Sequence, residues 1–447
     1  MSFQKNKFWQ PYESSGDNKW NLRRVVHLHR RAGFAANWSE IQRDLKAGPV
    51  AAVGRLLKGI ASGAGSNFEQ LSQTIGDAAV ASGNKTRLQA WWMLKMLRSP
   101  DPLGERLTLM WHNHFATSNR KVNDLRLMRE QNELFRKLAR APFGELLDAV
   151  VKHPAMLVWL DADANRKSHP NENLGRELLE LFTLGVGNYT EDDVEDAARA
   201  LTGWAVVDGN YGFRENRHDI GSKTVLGTES KLNGDDLLQL LLKHPATARR
   251  IAWRLCNTFM GEGVVGKDAI AELATGLAEN QLSIGWAVET ILRSKAFFSE
   301  ANIQTRVLGP VEYLVGALRC LELCDPAPSS LMLAEWISRM GQDLFYPPNV
   351  GGWSEGRSWL GTRTVIARAN FAHAMSEGQL WHPAEKPDFE SLFNRYQSKS
   401  GNQTMTQWLT TLFWGTAPEA VVDLVDSKEK NNSIVLQLLT RPEHQLA

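Results

Sequence analysis

The sequence predicts a mostly α-helical fold: a multi-helix, bundle-like domain with short helix–helix loops and a small irregular or β-hairpin insertion near 205–235. Three observations predict it. Apolar residues recur at helical spacing from about Leu22 onwards. Gly and Pro interrupt them at short intervals, and because proline suits a first helical turn but not a helix interior, each is read as a joint. Residues 205–235 break the pattern with a Gly- and Asn-rich stretch of short apolar alternation.

Taken in order, "SEIQRDLKAGPVAAVGRLLKGI" starts at Ser39 as a cap and carries Ile41, Leu45, Val50, Val53, Leu56 and Leu57 at helical spacings. It breaks at Gly48-Pro49. Residues 61–84, rich in Ser, Gly and Ala, read as a surface connector. "ELFRKLARAPFGELLDAVVKHPAMLVWLD" gives two helices joined at Ala141-Pro142, and "KHPA" occurs at both Lys152 to Ala155 and Lys243 to Ala246, each time before a helix-like segment. Gly185 and Gly187 stop the helix that follows Pro170, and Thr190 with Asp193 reads as a variant capping box. A second long loop, "LFYPPNVGGWSEGRSWLGT", covers residues 344–362. The resulting organisation is an N-terminal extension over 1–20, a helical core over 21–375, and a helical region over 376–447 that packs on the core.

Composition narrows the function classes. In 447 residues, 51 Lys plus Arg balance 50 Asp plus Glu, so no global field draws in nucleic acid, and no nucleic-acid partner is expected. The three cysteines form no disulfide framework; Cys320 and Cys324, at i, i+4, read as small core residues. No apolar run approaches the roughly 18 residues of a membrane span. Without a recognisable signal, the chain reads as cytoplasmic, with export alongside a partner as the other route. There is no Walker A sequence and no Rossmann fingerprint, and "GWSEG" is not a nucleophile elbow.

Four constellations carry chemistry-bearing residues. "LTLMWHNHFATSNR" holds His112 and His114, two metal-ligand types, but residues i and i+2 of a helix point about 200° apart. His114 would face inward with Leu107, Met110 and Trp111. One histidine could equally be a core group bonded to a carbonyl, the other lying on the surface. In the second, Asn173, Glu177 and Glu180 form a polar stripe behind Pro170 and Asn171, with Arg176 in reach of Glu180. In the third, "RHDIGSKTVLG", His218 and Asp219 are a candidate ligand pair beside Lys223. The fourth places Trp353 and Trp359 in a Gly-rich loop, either stacking on a flat ligand or plugging the end of the bundle.

Six blocks in this order resemble those of the bacterial family called domain of unknown function 1800: "NLRRVVHLHRRAGFAANWSEI", "LTLMWHNHFATS", "NENLGRELLELFTLGVGNYTEDDVEDAARALTGW", "RHDIGSKTVLG", "HPATARRIAWRLCNTF" and "PPNVGGWSEGRSWLGTRTVIARANFA". The resemblance covers roughly residues 20–375. It implies a mostly helical protein whose gene often neighbours one for a sulfatase-like domain of unknown function 1501, and it implies no established activity.

The leading expectation is a polar cleft that binds a divalent metal ion through His112 or His114, Glu177, and His218 or Asp219. Arg176 or Lys223 would hold an anionic substrate for metal-assisted hydrolysis or oxidation, while Asn171, Asn173, Trp353 and Trp359 bind. A different class is also open: a non-catalytic assembly partner of the sulfatase-like protein, docking through the Trp353 loop.

Overall fold

Pro49 opens a helix one residue after Gly48 closes another, and this device recurs along the chain. A computed structural model describes residues 8–59, 64–400, 403–425 and 431–447, and among them 23 α-helices alternate with short joints. The first of these joints is capped by Asn37 rather than Ser39. Asn37 Oδ1 accepts from Glu40 N at 2.8 Å and Glu40 Oε2 accepts from Asn37 N at 3.0 Å, a complete capping box two residues upstream of the expected cap. Both "KHPA" segments act alike: His153 and His244 each cap a helix by accepting a backbone N–H on Nδ1 at 3.2 Å, with the following Pro in the first turn.

The expected connector over 61–84 is a helix, Ala64–Ala81, with residues 60–63 outside the described part. Its Phe68, Ser72, Ile75 and Ala79 recur every three or four positions on its covered side, and Trp91 Nε1 donates to Ser72 O at 2.9 Å. Alanine and glutamine are strong helix formers, and that preference outweighs the scattered Ser and Gly.

The insertion is two antiparallel hairpins, Trp204–Val207 with Asn210–Phe213 and Lys223–Val225 with Thr228–Ser230. Asp208-Gly209 and Leu226-Gly227 make the turns, all four residues at positive φ as a two-residue type I′ turn requires. Between these hairpins and Pro170, the helix expected to run to Gly185 changes register: Asn173–Glu177 is α-helical and Leu178–Thr183 is π-helical.

Two hydrophobic cores organise the molecule. One joins Val25, Val26, Trp91, Trp92, Leu314, Phe371 and Trp408; the other joins Leu28, Leu107, Trp111, Phe143, Leu178, Ile251 and Phe298. The helix Leu22–Ala32 feeds both, with Val25 and Val26 turned to the first and Leu28 and Ala32 to the second. Trp408, Leu409, Val435 and Leu438 lie in the same core as Val25, so the last 40 or so residues share their apolar packing with the first helices.

Candidate functional site

The helix Pro102–His114 stands on the seam between the two cores. Leu103, Leu107, Met110 and Trp111 join the second core and Leu109 the first. Arg106, Leu109, Met110 and Asn113, at i, i+3, i+4 and i+7, form one helical face. That face walls a cavity of about 560 Å³. Asn257 and Thr258 from the helix Pro245–Phe259, the strip around Arg306, and Trp353 to Trp359 close the other sides.

Charge dominates the inner wall. Glu312 is only 4% exposed, yet Arg306 grips it with both terminal nitrogens at 2.7 Å and Arg106 adds a third contact at 2.9 Å. Burial pushes the Glu312 carboxyl up, but the guanidiniums of Arg106 and Arg306 together with the Gly309 N–H overcome it and hold the pKa at about 2. Burial in turn brings Arg106 down to about 10. At the mouth, Arg254 Nη1 meets Glu355 Oε2 at 3.1 Å and Asn113 Nδ2 donates to Glu355 Oε1 at 2.7 Å. Arg106 Nε, Trp353 Nε1 and Arg254 Nε are buried without a hydrogen-bond partner among the described residues.

The glycines of the 344–362 loop hold it against this wall. Gly352 has φ +84° and any Cβ there would collide with the Asn113 side chain, while Gly356, at φ +60°, sits against the Glu262 carboxylate in the same way. Trp353 N donates to Asn113 Oδ1 at 2.6 Å. Trp353 and Trp359 are therefore cavity walls, 4% and 8% exposed, and not free platforms on the surface.

The other expected site residues lie elsewhere. His112 and His114 do point to opposite sides of their helix, but neither is at the surface, because that helix is buried on every face. His112 is ringed by Trp92, Phe135, Phe345 and Trp353, stacking on the last at 5.4 Å, and neither of its nitrogens has a partner among the described residues; burial brings its pKa down to about 3. His114 Nε2 bonds the Phe182 carbonyl at 3.1 Å. His218 Nδ1 lies 2.9 Å from Thr202 O, and Asp219 pairs with Arg199 at 2.8 Å. Lys223 is buried and donates to the Asp219 and Gly221 carbonyls, stapling its own loop.

Arg176 pairs with Glu172 and Glu191 rather than with Glu180, which accepts instead from Tyr189 Oη at 2.6 Å. The π turn beginning at Leu178 changes the register between Arg176 and Glu180 and breaks the expected i, i+4 pairing. Glu177 is half-buried, its carboxyl raised by burial and by Glu180. Asn171 Oδ1 accepts from Asn173 N, and Asn173 Nδ2 donates to Asp161 at 3.1 Å, so both order the start of that helix. Among the described residues no three His, Cys, Asp or Glu side chains gather where one ion would be held. The donor set named from the sequence therefore does not fit a metal centre. Cys320 is a core group and Cys324 packs partly buried at its edge, and burial raises their thiols to about 12 and about 11.

Sequence reasoning missed Arg106, Arg254, Arg306 and Glu312. Arg106 did carry a signal, since it lies on one helical face with Asn113, beside Leu109 and Met110. Arg306 and Glu312 meet across a loop and a helix start, a relation with no fixed spacing to search for.

Fold and site together define a helical protein with a charged cleft between two hydrophobic cores. The chain belongs to the family described as Protein of unknown function (DUF1800), whose model matches residues 27–446. No curated protein and no solved structure matches it. No helix of the described residues is long and apolar enough to cross a membrane.

Proposed function

We propose that this protein binds a small polar molecule in the seam cleft, with Arg106, Asn113, Asn257, Gln342, Trp353 and Trp359 as the binding wall. One observation carries the reading: a cavity of about 560 Å³ on which the polar side chains of Arg106, Asn113, Asn257 and Gln342 and the indoles of Trp353 and Trp359 converge. Its volume falls in the roughly 300–1,000 Å³ range of ligand pockets, and a few polar groups set among apolar and aromatic ones are what fixes a ligand's orientation in such a pocket. Metal-assisted hydrolysis or oxidation at the histidines has no such support, because His112 is enclosed by aromatic rings while His114, His218 and Asp219 are bonded to other partners. Assembly with a sulfatase-like protein through Trp353 and Trp359 has less support than ligand binding, since both indoles are covered.

The test is a thermal-shift panel of neutral sugars, polyols, amino acids and small anions on the wild type and on Asn257→Trp, which fills the cavity from a half-buried position. At least one compound should raise Tm in the wild type and not in Asn257→Trp. A panel in which every shift survives Asn257→Trp would remove the cleft as the binding site.

A further inference from the structure

Glu312 is one carboxylate among five guanidiniums. Arg106 and Arg306 touch it, and Arg30, Arg31 and Arg368 lie close enough to feel its charge. Those three are 7%, 0% and 1% exposed, and none has a carboxylate within 4 Å among the described residues. Their donors go to neutral acceptors instead. Arg31 reaches the Phe259 and Asn302 carbonyls, Arg30 the Phe413, His444 and Leu446 carbonyls, and Arg368 the Leu308 carbonyl and the Gln445 side chain. Glu355, a further carboxylate of the lining, is engaged by Arg254 and also acts on Arg106 and Arg306.

Burying a guanidinium without a counter-charge costs several kcal/mol, and here an excess of positive charge is gathered behind one wall of a cavity. The rim adds Arg357, exposed and with no hydrogen-bond or ion-pair partner among the described residues. The same field reaches any ligand lodged against Arg106, because low-dielectric walls focus it. Glu262 and Glu355 lie at the mouth and set a limit on how far a negative ligand extends outward.

Resting on the binding reading above, we propose that the ligand of the cleft is a doubly charged oxyanion of the phosphate or sulfate class, free or as the ester head of a small molecule. Arg357 and Arg106, which both line the cavity, are the direct donors, since guanidinium nitrogens match such oxygens in charge and geometry. Arg30, Arg31 and Arg368 act through their field. Asn257, Thr258 and Gln342 add neutral polar groups to the lining, beside Glu262 and Glu355.

Equilibrium dialysis against radiolabelled phosphate and radiolabelled sulfate, at constant ionic strength set with chloride, measures this directly and separates saturable binding from general salt stabilisation. The expected result is saturable binding of about one ion per chain. Arg357→Gln should weaken it at least tenfold, and Asn257→Trp should abolish it. Comparison of the two labels tells which oxyanion the cleft prefers. No saturable binding of either ion, or binding unchanged in both variants, overturns the proposal. If a neutral compound from the thermal-shift panel still binds in an Asn257-dependent way, the anion inference falls and the cleft stands. If nothing binds, both fall.

Discussion

Glu312 and His112 are both buried, the first a charge held by two guanidiniums, the second an imidazole with no hydrogen-bond partner among the described residues. Glu312→Gln should cost about 3–5 kcal/mol, because it strands Arg106 and Arg306 without their counter-charge. Urea denaturation at pH 7 measures it. The carboxyl has its folded pKa depressed from 4.5 to about 2, so the pair's stabilisation, about 3 kcal/mol, is complete above pH 4.5 and is lost as pH falls towards 2. His112 is also depressed, from 6.5 to about 3, by burial; above pH 6.5 the ring is neutral folded and unfolded alike, and as pH drops towards 3 protonation of the unfolded chain draws stability away. Its share of that loss is about 5 kcal/mol. His112→Phe should therefore be within about 1 kcal/mol of wild type at pH 7, since it deletes two unpartnered nitrogens, and should flatten the stability profile between pH 6.5 and 3. An unchanged slope in denaturation series across that window would show that the imidazole is not held neutral.

At the scale of elements, the 344–362 loop and the π-helical turn decide where side chains go. Gly352→Ala should destabilise by about 1–3 kcal/mol, because alanine is strained at φ +84° and its methyl displaces Asn113. Its effect on ligand binding should be larger than its effect on Tm, since Asn113 positions both Trp353 and Glu355. Calorimetry and the dialysis assay on one protein sample separate the two. Several elements were legible in the sequence. Gly48-Pro49 marked a joint, Thr190 with Asp193 a capping box, and the Asp208-Gly209 region a hairpin, since each signal is local. Ala64–Ala81 was not, because its Ser and Gly content hid an apolar stripe that only packing against Trp91 brings out. The break at Leu178 has no letter that announces it.

Over the whole molecule, the cleft depends on residues far apart in the chain. Ala447 O accepts from Thr305 N at 3.1 Å and Arg306 N at 3.2 Å, and Arg30 and Arg368 end on Leu446 and Gln445. Deleting residues 442–447 should therefore lower Tm, with about 1–3 kcal/mol for each guanidinium left without acceptors, and should abolish oxyanion binding by releasing the Arg306 strip. Differential scanning calorimetry and dialysis on the truncated chain check both; retained binding would separate the cleft from its back wall. The sequence by itself determined the helical class, most joints and the family, because periodicity, caps and ordered motif blocks are properties of neighbouring residues. It also held the geometry that sends His112 and His114 to opposite sides of one helix. Only the tertiary structure decided which polar residues meet: Arg106, Arg254, Arg306, Glu312 and Glu355 come from five segments, and their attraction depends on distance and burial, which no spacing along the chain encodes.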